Sequence, residues 1–154
     1  MKDIVFDVNV ILDVLLNRQG AEIAEQLFEQ VQTERFHGWV TACSLPIIEY
    51  LVLRELKASG VEPQKAASLT TQLMDWLSHS LKSLSVPGQE SLKLLGQSKD
   101  FEDAQIALSA LLELGDKAVI VSNDKRFDAM GKLTVLTPAA CLEKLKQVDK
   151  NTHF

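Results

Sequence analysis

Cysteine and histidine are scarce: two of the former and three of the latter occur in 154 residues. No CxxC pair or His-rich neighbourhood is present, so neither a disulfide framework nor a zinc site is expected. Cys43 in VTACSLP and Cys141 in PAACLEKL sit in apolar surroundings and read as buried free thiols. No stretch of 18 apolar residues occurs, and the opening MKDIVFDV lacks the basic-then-apolar layout of a secretory leader. A cytoplasmic protein without membrane contact is therefore expected. Glycine and proline are too few and too scattered for a fibrous or low-complexity chain. Positive charge is also in short supply, since the formal balance is −5. The basic coat that usually accompanies nucleic-acid binding is missing. This does not exclude nucleic acid, because a site that holds divalent metal brings its own positive charge and net charge says little about the field in a cleft.

What is present is an alternation of short apolar runs with helical patterns. IVFDV (4–8), GWVTA (38–42), LKSLSVP (81–87), KAVIVS (117–122) and LTVLT (133–137) read as strands. Between them apolar residues recur near every 3.6 positions, as in Ala21, Ala24, Leu27, Phe28 and Val31, or Ile47, Ile48, Leu51, Val52 and Leu56. Comparable spacing runs over 11–16, 66–77, the segment after Asp103 and 140–145. Strands too apolar to face water on either side predict a parallel sheet covered by helices on both faces, an α/β fold in one domain over 1–148 with a loose tail at 149–154. In such sheets ligands bind beyond the carboxyl ends of the strands, where strand order reverses.

The acids fall where that rule directs attention. Asp7 ends the first strand, with Asn9 two residues on and Asp13 in the following helix. Taken alone, Asp7 has the simple reading of a helix N-cap. Glu49 lies in LPIIEYLVL among apolar neighbours; it faces either a polar or metal-filled cleft or the polar stripe of its helix, paired there with Arg54. KDFEDAQIALSALLELG (99–115) gathers Asp100, Glu102 and Asp103 at the mouth of a helix that is apolar almost all round. Capping and the helix dipole are the plain explanation for such a cluster. Asp124 follows the strand AVIVS in VSNDKRFD, where turn chemistry alone would accommodate it, and Asp128 comes four residues later. Asp7 and Asp124 end strands on the same rim, and Asp103 precedes the strand that carries Asp124. Four carboxylates gathered within about 5 Å would repel by roughly 3 kcal/mol per pair at an effective dielectric near 20. Oxygen-only ligands without histidine or cysteine suit Mg²⁺ or Mn²⁺, which can activate water against a phosphodiester.

Four segments, IVFDVNVILDVLL, SLPIIEYL, DFEDAQIALSA and IVSNDKRF, stand in the order and spacing of the PIN-domain nucleases, the fold of VapC-like toxins in bacterial and archaeal toxin–antitoxin modules. The chain resembles that family from residue 4 to about 140. The resemblance implies a single-domain PIN fold, a parallel Rossmann-like sheet of about five strands with helices on both faces. It further implies that Asp7, Glu49, Asp103 and Asp124 are catalytic acids binding one or two Mg²⁺ or Mn²⁺ ions, with Asn9 and Ser122 as polar supports. Asp128 is a second candidate for the last acid, because some branches of the family place it beside the Phe. Asp100 and Glu102 are assigned to capping or to the rim. The implied activity is endoribonucleolytic: a metal-bound water attacks an RNA phosphodiester, leaving a 5′-phosphate and a 3′-hydroxyl. A homodimer and a cognate antitoxin with a basic tail are the implied partners. Arg18, Arg54, Lys99, Lys125 and Arg126 lie near the motifs and are candidates for phosphate contacts. Two rival readings remain at this level. One is a haloacid dehalogenase-like phosphatase, suggested by IVFDVNV although Asn9 replaces its second acid and Glu49 has no role in it; the other is a PIN scaffold without catalysis.

Overall fold

The computed structural model describes residues 2–33 and 35–151. Along the chain run β1 (Asp3–Phe6), α1 (Val8–Leu15), α2 (Ala21–Gln32), β2 (His37–Thr41), α3 (Ser44–Ala58), α4 (Pro63–Ser80), β3 (Lys82–Leu84), α5 (Gly88–Leu94), α6 (Phe101–Leu114), β4 (Val119–Val121), β5 (Thr134–Leu136) and α7 (Pro138–Asn151). All five expected strands form; each ends earlier than expected, while β1 and β2 also begin one residue sooner. The third is cut back most, to Lys82–Leu84, and Pro87, which has no N–H to donate to a ladder, stands outside it. Helix α5 is not announced by any apolar spacing: it buries only Ser91 and leaves Leu92 exposed, so it carries no apolar stripe. Of the tail expected at 149–154, residues up to Asn151 continue α7, and 152–154 lie outside the described residues.

The strands form one parallel sheet in the order β3-β2-β1-β4-β5. From β1 the chain builds outward to β2 and β3, then crosses back to lay β4 on the other side of β1. The reversal opens a crevice between the carboxyl ends of β1 and β4. Phe6 is in register with Val121, so the next residues, Asp7 and Ser122, stand side by side at the rim. The ladder continues through them: Asp7 N donates to Val121 O and Ser122 N to Leu136 O, both at 3.0 Å.

Alternating residues divide the sheet between two apolar layers, as period-two side chains require. Ile4, Phe6, Val40, Val119 and Val121 pack with α1, α2, α3, α4 and α7. Val5, Leu84 and Ile120 pack with α6, whose Ala107 and Ala110 let it approach the strands closely. Both cysteines are free. Cys141 is buried, which pushes its thiol up to about 11, whereas Cys43 is only half-buried and donates weakly to Thr41 Oγ1 at 3.4 Å.

At Gly38 in β2, side chains from the helix layer press directly on the strand. A methyl group there would lie 2.6 Å from Leu81 Cδ2 and 2.9 Å from Val31 Cγ2. Val31 is β-branched and buried, so it has little freedom to yield. Gly38→Ala is expected to lower stability by about 1–3 kcal/mol in urea unfolding with an unchanged denaturant slope; an equally stable variant would contradict this packing.

Candidate metal centre

Asp7 is the innermost acid of the crevice, only 6% exposed. Its carboxylate caps α1 by accepting from Val8 N at 2.7 Å. It also accepts from Ser122 Oγ at 2.6 Å and Asn9 Nδ2 at 2.7 Å. The capping and cleft readings of Asp7 are therefore compatible, since one oxygen serves the helix and the other meets the β4 end. Burial raises its pKa despite these three donors, and the charge of Asp124 adds to the rise.

The same side chains tie down the loop that carries Asp124. Ser122 Oγ accepts from Asp124 N at 3.0 Å, and Asn9 Oδ1 accepts from Asn123 N at 3.1 Å. Asn123 Nδ2 in turn donates to Asp13 Oδ2 at 2.7 Å, clipping the loop to α1. Gly20 leaves room for Asp13, because a Cβ at that position would lie 2.5 Å from Asp13 Oδ2. Asp124 and Asp128 each close a local turn, accepting from Arg126 N at 2.8 Å and Met130 N at 2.9 Å respectively. Of the two, Asp124 is the acid whose charge acts on Asp7 and Asp103; Asp128 meets the group through its backbone, donating its N–H to Asp103 Oδ2 at 3.2 Å.

Helix α6 delivers the other acids. Asp100 is its N-cap, with Oδ1 accepting from Glu102 N at 3.0 Å and Asp103 N at 3.2 Å. That capping leaves the next two carboxylates free to face the crevice. Asp103 is raised to about 6, by burial first and by Asp100, Asp7 and Asp124 against the opposing Asp128 N–H. Glu102 goes further, to about 7, through burial and then the charges of Asp7, Asp100 and Asp103. The Ser44 hydroxyl at the start of α3, already engaged with Thr41 Oγ1 at 2.8 Å, offsets this only in part. Glu102 Oε1 is buried with no hydrogen-bond partner. The expectation that Glu102 caps or lines the rim is thus corrected: capping belongs to Asp100, and Glu102 turns inward.

Glu49 stands apart. It is exposed on α3, makes no side-chain hydrogen bond or ion pair among the described residues, and is not among the principal charges acting on Asp7, Glu102 or Asp103. Nor does it pair with Arg54, which lies over the Tyr50 ring at 5.8 Å. Among the described residues, no three His, Cys, Asp or Glu side chains are grouped so that they could hold a metal ion as they stand. Of the basic candidates, Arg18 is paired with Glu55. Lys99, Lys125 and Arg126 line a cavity of about 550 Å³ with Asp100 and Asp128, at the lip of the crevice.

The raised carboxylates set a pH dependence for the metal-free protein. Their folded pKa values of about 6 and 7 exceed the ordinary values of 3.8 and 4.5, so the native state holds the extra protons and their contribution to stability falls as pH rises through this window. Asp103→Asn keeps an acceptor for the Asp128 N–H and removes one charge. In EDTA, its melting temperature relative to wild type is expected to climb between about pH 4 and pH 7 and then level off. A flat or falling difference would contradict the crowding of these acids.

Comparison with known proteins follows the same lines. Residues 3–126 match the family model described as PIN domain. No curated protein matches the chain significantly in sequence. Among solved structures, PAE2754 from Pyrobaculum aerophilum superposes with a TM-score of 0.63 at 14% identity, covering 95% of this chain and 96% of that one. VapBC2 from Rickettsia felis, solved bound to a DNA fragment from its promoter, superposes at 0.61 and 13% identity, covering 87% and 97%. With the sheet order, the acids at the β1/β4 crevice and a family match over most of its length, the chain belongs to the PIN-domain family.

Proposed function

We propose that the protein is a metal-dependent endoribonuclease and the toxin of a type II toxin–antitoxin module. What supports the reading is the crowding of negative charge at the β1/β4 crevice, where Asp124 acts on Asp7, and Asp7 and Asp124 act on Asp103. No lysine, arginine or histidine forms an ion pair with Asp7 or Asp103 among the described residues, and Arg126 touches only the outer acid, 3.8 Å from Asp124. An oxygen-only donor set with an unpartnered buried Glu102 oxygen fits a hard divalent cation better than a softer one. Asp7, Asp103 and Asp124 would hold Mg²⁺ or Mn²⁺. When bound, the cation supplies the positive charge that lowers the pKa of water and stabilises the departing oxygen of a phosphodiester.

The protein's own residues prepare the rest. Ser122 and Asn9 fix the Asp7 carboxylate in one orientation, and the Asn123–Asp13 clip holds the Asp124 loop against α1. Lys99, Lys125 and Arg126 would take the phosphates flanking the cleaved bond, placing RNA across the lip rather than over the acids. The likeness to VapBC2 supports an antitoxin as partner. Exposed Ile23 and Tyr50 on α2 and α3 are compatible with a homodimer. No helix among the described residues is long and apolar enough to cross a membrane, consistent with work on RNA in the cytoplasm. The phosphatase alternative is set aside by the family match and by Asn9, whose amide is spent on Asp7 and Ser122 rather than standing free as an acid.

Cleavage of a panel of single-stranded and structured RNAs, with Mg²⁺, Mn²⁺ or EDTA, tests the assignment. Metal-dependent cutting is expected for wild type and none for Asp7→Asn from the same preparation. Asn9→Ala and Ser122→Ala, which leave the acids in place but unsupported, are expected to lose roughly 10–100-fold. Cutting that survives EDTA or Asp7→Asn would overturn the reading, and a protein that binds metal yet cuts none of the RNAs would favour the scaffold alternative.

A further inference from the structure

We propose that Glu102, rather than Glu49, is the fourth carboxylate of this centre and reaches the cation directly. The inference rests on the metal-dependent reading above and adds to it a residue that the family's motifs did not mark in this chain. A Glu in the first turn of a helix ordinarily serves backbone N–H groups or the dipole, but in α6 that service is already rendered by Asp100, whose Oδ1 accepts from both Glu102 N and Asp103 N. The Glu102 carboxylate bonds no backbone donor. One of its oxygens is buried without any partner, and the charges that act on it, Asp7, Asp100 and Asp103, are all of its own sign. The one hydroxyl that approaches it, Ser44, is shared with Thr41.

A carboxylate so placed gains little from the protein beyond the shared Ser44 hydroxyl. An unpartnered buried acceptor and a like-charged neighbourhood are both unfavourable, and both are relieved by a single cation lying between Glu102, Asp103 and Asp7. Consecutive positions on a helix diverge by about 100°, so the two carboxylates leave α6 in different directions: Glu102 toward Ser44 on the α3 side of the crevice, and Asp103 toward the Asp128 N–H on the other. That is the side from which a fourth ligand is expected, because Glu49 belongs to α3. Glu49 itself is exposed and unconnected to the group. The crevice thus already contains an acid where the motif reading looked for one, supplied by a different helix.

Calorimetric titration of the full-length protein with Mn²⁺, alongside Glu102→Gln, Glu102→Asp and Glu49→Gln, tests the proposal, with metal-free and Mn²⁺-loaded melting temperatures as the second readout. Glu102→Gln is expected to weaken Mn²⁺ binding by about tenfold or more and to lose most of the Mn²⁺-induced rise in melting temperature, while its metal-free melting temperature equals or exceeds that of wild type. A merely structural glutamate would instead lower the metal-free value and leave Mn²⁺ affinity alone. Glu102→Asp keeps the charge but shortens the arm, and is expected to weaken binding as well, which serves if the Gln variant does not fold. Wild-type affinity in both Glu102 variants, or a loss confined to Glu49→Gln, would overturn the proposal and leave the metal-dependent reading standing. Absence of Mn²⁺ binding by wild type would overturn both.

Discussion

The site is organised around one buried carboxylate. Asp7 sits just past the carboxyl end of the central strand, level with the end of β4, and three donors converge on it, Val8 N and Asn9 Nδ2 from α1 and Ser122 Oγ from just past β4. Each donor has a second task. Val8 N begins α1, Ser122 Oγ accepts from Asp124 N, and Asn9 accepts from Asn123 N. Fixing Asp7 therefore fixes the start of α1 and the loop after β4 at once, and the strand-order reversal that brings β4 beside β1 makes the arrangement possible. The hydrogen bonds do not make Asp7 a comfortable anion, since burial still prevails and its pKa rises.

Around this anchor the fold concentrates acids where helices begin. Helix α1 starts at Asp7, α6 starts at Asp100 and α3 starts at Ser44, beside Glu102. Positive helix ends ease negative charge by a few tenths to about 1 kcal/mol each, which is small beside the repulsion of carboxylates that share a crevice. The balance leaves Asp103 and Glu102 raised to about 6 and about 7. A divalent cation would complete such a centre in a way that no side chain here does, and the basic residues at the lip lie outside the acids, suited to a polyanion that crosses the opening.

Much of this was legible in the chain. Strands flanked by helical periodicity fix a parallel sheet, and although the strands end one to three residues earlier than their apolar runs suggest, the placing of Asp7 and Asp124 just past β1 and β4 on one rim followed from IVFDV and AVIVS. Helix α5 was not legible because its residues bury almost nothing and so leave no period. The burial of a Glu102 oxygen was not legible for a different reason. Beside Asp100 and Asp103, Glu102 looks like one more first-turn acid, and only the hydrogen bonds show that Asp100 alone caps the helix. The expectation that Glu49 faces a cleft rested on its apolar neighbours in sequence, whereas on α3 the buried stripe runs through Ser44, Ile48 and Val52 and leaves Glu49 exposed. Asp13 and Asn123 form a clip between segments 110 residues apart, and no local pattern announces such a contact.

The central claim is that the carboxylates at the β1/β4 crevice exist to hold a divalent cation. Anomalous diffraction from crystals grown with Mn²⁺ tests it most directly. The account predicts a strong anomalous peak bounded by Asp7, Asp103 and Asp124, within coordination distance of their oxygens. A crystal that takes up Mn²⁺ only elsewhere, with these acids protonated or paired with lysine and arginine, would contradict it.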